Sequence, residues 1–208
     1  MTEVKRQRGA FRSPLWIDSF CGGSVCLDFV NTVEWIKTPK AEERLIDYQA
    51  LLTWSRARAT LTGATIDRLE VLAKADPVAA EAAFQDALAF REELRALLHR
   101  LEGGDAPEVT ALNKHLADLP PVPPLILSDD GYQHDLPGEI LGEPLWPVLW
   151  SLTALLTSDD AGRLGICGGQ ACGYLFTDQS RNRSRRWCTS EGCGNRERVR
   201  RAYKAQKA

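Results

Sequence analysis

Apolar residues along this chain recur mostly at helical spacing, and that periodicity predicts a largely helical body. The segment 16–33 is apolar, with polar Asp28, Asn31 and Thr32 set inside it. From Asp47 the pattern turns helical through Leu51, Leu52 and Trp54. Gly63 interrupts it, and Thr65 is placed to cap a next helix carrying Ile66, Leu69, Leu72 and Ala73, which ends near Asp76-Pro77. The strongest helix is predicted from about Val78 to Leu101. Phe84, Leu88, Leu94, Leu98 and Leu101 lie three or four residues apart or at multiples of those steps, and Gly103-Gly104 stops it. Residues 107–116 read as a short helix with Pro107 in its first turn. Beyond the breaker cluster 120–124, Leu125-Ile126-Leu127-Ser128 and Tyr132-Gln133-His134 flank Asp129-Asp130-Gly131, a hairpin signal. A last body helix runs from about Pro144 through Leu156, and Ser158-Asp159-Asp160 reads as a linker.

The expected fold is therefore mainly α with a small β-hairpin over residues 14–158, followed by a separate module over 161–208. Residues 1–13 are polar, basic and aperiodic and are predicted to be disordered. No run of about 18 apolar residues occurs, and the first residues lack the apolar core of a signal peptide. No membrane association and a cytoplasmic location are the resulting expectations.

The net charge of −2 conceals a strong asymmetry. From Ala161 onward eleven lysines and arginines face three acids, whereas the rest of the chain has fifteen cations and twenty-five acids. Such a split points to an anionic partner for the tail alone, since the acidic body repels it.

The tail also holds four cysteines in two pairs of equal interval, Cys167/Cys172 and Cys188/Cys193. In a reducing compartment that pattern predicts one structural Zn²⁺ rather than disulfides. Four thiolates around one zinc carry −2, so part of the arginine excess answers the metal site, and the tail's effective charge falls to about +6. Gly168-Gly169 permits a tight knuckle, 163–166 and 174–177 read as two strands, and the second pair opens a final helix over about 193–206. Knuckle, hairpin and helix together form a treble-clef-like site.

In that helix Arg196, Arg200 and Lys204 make a stripe at four-residue steps. Glu197 is positioned to pair with Arg201, and Val199 and Tyr203 are expected to pack on the zinc module. Asn195 and Arg196, at the helix start, are of the types that read adenine and guanine edges. Arg181, Arg183, Arg185 and Arg186 precede Trp187 in a loop suited to phosphates. Trp187, beside a zinc ligand, is expected to pack rather than to stack on a base.

The segment Arg181-Asn182-Arg183-Ser184-Arg185-Arg186-Trp187-Cys188, followed by Cys193-Gly194-Asn195-Arg196, resembles the CGNR zinc-finger family. Cys26-Leu27-Asp28-Phe29-Val30-Asn31-Thr32 resembles the opening motif of the ABATE domain that accompanies this finger. The resemblance implies a bacterial, stress-linked transcription regulator with a largely helical sensor domain and a zinc module that binds DNA. It implies Cys167, Cys172, Cys188 and Cys193 as ligands and Gly194, Asn195 and Arg196 as signature residues.

Cys21 and Cys26 repeat the pair interval, but with no second pair nearby they are read as buried small hydrophobes. Asp28, Asn31 and Thr32 share a face if their stretch is helical. Either they brace neighbouring backbone or, with Arg91, they line an effector pocket; Arg91 is also a candidate partner for Asp28. The three histidines match no catalytic pattern, and no phosphate loop, dinucleotide fingerprint or nucleophile elbow occurs, so no enzyme is expected. The leading expectation is a DNA-binding regulator that senses a small-molecule effector and forms a homodimer. The rivals are an RNA-binding protein using the same module and a zinc-stabilised protein-interaction module.

Overall fold

The computed structural model describes residues 20–128 and 131–207, so the expected N-terminal disorder and the side chains of Asp129 and Asp130 lie outside the described residues. Element order is α1 (Val25–Val30), β1 (Val33–Glu34), β2 (Glu42–Glu43), α2 (Tyr48–Ala57), α3 (Gly63–Ala75), α4 (Pro77–Glu102), α5 (Thr110–Ala117), β3 (Leu125–Ser128), β4 (Gly131–His134), α6 (Trp146–Leu156), β5 (Leu164–Ile166), β6 (Leu175–Thr177) and α7 (Asn195–Gln206). The strands form three separate antiparallel pairs, β1–β2, β3–β4 and β5–β6. The fold is mainly helical with small two-stranded sheets, as its apolar periodicity requires.

The long helix α4 organises the body. Asp76 caps it by accepting from the Ala79 amide at 2.9 Å, and Pro77 occupies the first turn, where its missing donor costs nothing. Ala80, Phe84, Ala87, Phe90, Leu94 and Leu98 form its buried stripe. Arg91 and Arg95 lie on that stripe too. Arg95 donates to the carbonyl of Val30 at 2.8 Å, where α1 ends and its last carbonyls lack helical partners. Five of the six residues of α1 are buried, and α1 packs between α6 and α4. A helix this short does not persist in water by itself, so this burial is what holds it.

Two local expectations are corrected. Thr62, not Thr65, caps α3, accepting from the Thr65 amide at 3.1 Å; the Thr65 hydroxyl donates instead to the Leu136 carbonyl at 2.8 Å. Pro107 precedes α5 rather than entering its first turn, because that helix starts at Thr110. The segment 158–160, read as the linker, is ordered. Ser158 caps a 3-10 turn, Asp159–Arg163, that leads directly into β5.

The expected hairpin β3–β4 forms, with Leu125 opposite His134 and Ser128 opposite Gly131. Gly131 has φ +101°, a left-handed conformation that glycine adopts without a Cβ clash.

The zinc-module hairpin is built into the body. Leu175 of β6 is 1% exposed and belongs to the same core as α1, α4 and α6. Thr177 donates its amide to the Gly22 carbonyl at 2.8 Å, and Lys37 donates its ammonium to the Cys167 carbonyl at 2.9 Å. Among the described residues, no helix is long and apolar enough to cross a membrane.

Candidate metal centre and basic face

Four buried sulfurs, from Cys167, Cys172, Cys188 and Cys193, lie within 4.8 Å of one another, and all four cysteines are free of disulfides. Sγ of Cys172 and Cys188 are 3.8 Å apart, and those of Cys188 and Cys193 are 3.6 Å apart. A zinc tetrahedron with bonds of about 2.3 Å has edges of about 3.8 Å, so the donor set fits one zinc ion. Hydrogen bonds from the Cys172, Cys188 and Cys193 thiols hold Cys167 far below its usual range, aided by the Cys188 amide at 3.3 Å. Cys172 and Cys188, crowded against it, are pushed up. Four thiols this close cannot all ionise without a cation, and a dication resolves the conflict. The ion's contribution is structural: it closes the knuckle, the hairpin and the start of α7 onto one another.

The surrounding chain is shaped for that closure. A Cβ on Gly169 would stand 3.0 Å from the Cys193 sulfur and 3.2 Å from Cys172 Cβ, so the knuckle needs glycine. A Cβ on Gly194 would stand 3.2 Å from the Trp187 ring, which explains the glycine that follows the last ligand. Trp187 is half-buried and also backs Gly168, so it packs, as expected. Cys193 lies in a π-turn, Ser190–Gly194, whose Gly192 amide is held by the Thr189 hydroxyl at 3.1 Å. α7 begins at Asn195, the residue after that turn.

The arginines divide into two groups, which corrects part of the expected nucleic-acid face. Arg185 is a brace. Its guanidinium donates to the carbonyls of Trp187 (3.1 Å), Thr177 (3.0 Å), Cys21 (2.8 Å) and Cys188 (2.6 Å), and lies 4.3 Å from the Phe176 ring centroid. Arg196 donates Nη2 to the Cys193 sulfur at 3.0 Å and faces the Trp35 ring at 5.8 Å, a posture that serves the thiolate rather than a base. Its bond to Cys193 raises its pKa further. Glu197, buried under α7, pairs with Arg200 at 2.5 Å and not with Arg201. Arg181, Arg183, Arg186, Arg198, Arg201, Lys204 and Lys207 are exposed and form no ion pair among the described residues. Asn195 is also exposed. Val199 and Tyr203 do not pack on the module; they are 62% and 58% exposed, because Glu197 occupies the inward face of α7.

The residues proposed to line an effector pocket all have internal partners. Asp28 accepts from the Gly22 amide (2.8 Å) and from Arg58 (2.8 Å), so its cation is Arg58 and not Arg91. Asn31 bonds the backbone of Leu175, and Thr32 donates to the Phe29 carbonyl at 2.8 Å. Arg91 donates to the Thr32 hydroxyl at 2.9 Å and pairs with Glu43 at 2.5 Å. Cys26 is buried in the main core, while Cys21 packs against the cysteine cluster.

Some contributors escaped sequence reasoning. Lys37 and Trp35, in the loop after β1, reach the metal module from far away in the chain, and nothing in their local sequence marks them. Asp178 fixes the arginine loop by accepting from the amides of Ser180 (2.8 Å) and Arg185 (2.9 Å); the turn-forming Asp178-Gln179-Ser180 was the available signal.

A helical body with a four-cysteine centre fused into its core defines a zinc-finger protein. Residues 23–159 match the ABATE family, described as "Putative stress-induced transcription regulator", and residues 163–206 match the CGNR zinc finger. The chain belongs to the ABATE family and carries a CGNR zinc finger holding one structural zinc ion. No curated protein matches the chain.

Proposed function

We propose that the chain is a DNA-binding transcription regulator whose zinc module holds a basic face against the duplex. The observation that carries this reading is the set of exposed cations without ion pairs, Arg181, Arg183, Arg186, Arg198, Arg201 and Lys204, on one metal-ordered scaffold. Cations with no internal counter-ion are the ones that phosphates can displace solvent ions from. The loop arginines Arg181, Arg183 and Arg186 serve phosphates, and Asn195 at the exposed start of α7 serves a base edge, its amide suiting adenine. The acidic body stays off the duplex and receives the signal. Dimerisation supplies a second half-site, since one small basic module offers modest specificity. No enzymatic activity is part of this reading, and the cytoplasm is where such a protein works.

The exposed Tyr203 favours a second reading, RNA binding, in which that ring stacks on an unpaired base. Capture of bound nucleic acid from cells, with both DNA and RNA recovered, separates the two. Enrichment of duplex sites sharing one motif supports the regulator. Enrichment of transcripts transfers the module to RNA, and recovery of neither removes both readings.

A further inference from the structure

A cleft of about 690 Å³ opens between the loop and strands around Trp35–Arg44 and the mouth of the cysteine cluster, with α7 along one side. That volume suits a small organic molecule rather than a single ion. Trp35 is its most telling wall. Its φ is +57°, a left-handed conformation that bulky residues avoid, and the turn is fixed by the Thr38 amide and hydroxyl bonding the Trp35 carbonyl at 2.9 and 3.0 Å. The strained turn leaves the indole 43% exposed, with Nε1 held by Glu34 at 2.9 Å. A large ring kept out of the core at the edge of a cleft is a stacking surface. Tyr174, from the zinc module, also lines the cleft.

The charges lining the cleft are of both signs. Arg196 and Arg200 stand on the α7 side. Arg196 uses Nη2 on Cys193, and Arg200 uses Nε and Nη2 on Glu197, which leaves each an Nη1 for an acid group. Glu34 and Glu42 stand on the body side with Lys40 and Arg44, and Arg44 pairs with both glutamates. The side chain of Glu42 is 53% exposed and holds Arg44 only at 3.3 Å, a contact that a basic ligand group can replace. A purely anionic ligand would meet both glutamates and the zinc–thiolate cluster, whose net charge is negative. A purely cationic one would meet Lys40 and three arginines, Arg44, Arg196 and Arg200. A molecule with one charge of each sign satisfies both sides.

We infer that this cleft binds a small aromatic zwitterion, of the aromatic amino acid class, with its ring on Trp35, its acid group at Arg196 and Arg200, and its amino group at Glu42. The inference rests on the reading of the protein as a regulator that receives a signal, and it moves the receiving site from the helical interior to the junction of body and zinc module. A ligand there touches both units at once, which gives its binding a direct route to the orientation of α7.

The test is calorimetric titration of the zinc-loaded full chain, without nucleic acid, with L-tryptophan, indole-3-propionate and tryptamine. The expected result is that L-tryptophan binds at least about tenfold tighter than either singly charged indole. Trp35→Ala is expected to weaken L-tryptophan at least about tenfold and Trp35→Phe to restore most of it, with zinc content and melting temperature unchanged in both. Absence of L-tryptophan binding at millimolar concentration overturns the inference. So does equal binding of the three indoles, or an unaltered affinity in Trp35→Ala. If no indole binds and Trp35→Ala instead weakens duplex binding, the cleft belongs to nucleic acid. Because DNA is absent from the titration, a failure of the DNA-binding reading does not disturb it.

Discussion

Asn31 bonds both backbone groups of Leu175: its Nδ2 donates to the carbonyl at 2.8 Å, and its Oδ1 accepts from the amide at 2.9 Å. One side-chain amide thus acts as an extra strand beside β6, and it comes from the residue that ends α1. Both groups of Leu175 are buried, so loss of the amide leaves a buried donor and a buried acceptor unsatisfied. Asn31→Ala is expected to cost about 2–4 kcal/mol, read as a shift in the urea midpoint of the zinc-loaded protein. A loss under about 0.5 kcal/mol would show that the two units do not depend on this bond.

Zinc removal should disturb more than the finger. Leu175 completes the body core, so chelation or Cys188→Ser is expected to raise amide exchange in α1 as well as in β5 and β6. Exchange in α1 that ignores the metal would separate the two units energetically.

Arg185 and Arg183 share a loop but should behave oppositely. Arg185→Ala removes the donor shared by four carbonyls and should release zinc faster, with no change in the salt dependence of duplex binding. Arg183→Ala should leave zinc in place and lower the salt slope by about 1. Competition with a colorimetric chelator and a salt series read the two effects independently.

Arg196 donates to a ligand sulfur, so Arg196→Ala is expected to weaken zinc retention by about 10–100-fold in chelator competition. The preferred base sequence should hardly change. A relaxed preference at one base with unaltered zinc affinity would return Arg196 to base reading.

Asp28 gives the stability a definite pH trend. Burial pushes its carboxyl above the usual range, against the lowering effect of the Gly22 amide and Arg58. The folded state then holds the proton more tightly than the unfolded one. This favours folding below about pH 4, the unfolded value, and the benefit is lost as pH rises through the folded value. The stability of Asp28→Asn relative to the parent is therefore expected to improve with rising pH, measured as the difference in urea midpoints across that range.

Legibility in the sequence followed the range of the interactions. The heptad-like spacing of Phe84, Leu94 and Leu98 made α4 readable because a helix buries one face at 3.6-residue intervals. The four cysteines were readable because one ion needs four soft donors whatever the fold. The cap of α3, assigned to Thr65 instead of Thr62, and the place of Pro107 were off by a few residues, since the choice between adjacent caps rests on contacts such as that of Thr65 with Leu136. The division of labour among the arginines was not readable. Arg181 and Arg185 are chemically identical, and only the carbonyls folded around Arg185 distinguish them. Val199 and Tyr203 misled for a related reason: apolar residues at four-residue steps suggest an inward face, but the inward face is held by Glu197 and its pair with Arg200.

The contact between Asn31 and Leu175 spans 144 positions in the chain, and this sets a timetable for synthesis. α1 is made long before its partners in α6 and β6 and is too short to persist without them. The body must wait for the β5–β6 hairpin before its core can close. Folding is thereby expected to require the whole span from α1 to β6 rather than to proceed unit by unit, and to be slow for a protein so rich in helix. A cell short of zinc at that moment would lose the whole protein, and the metal would act as a checkpoint on its supply.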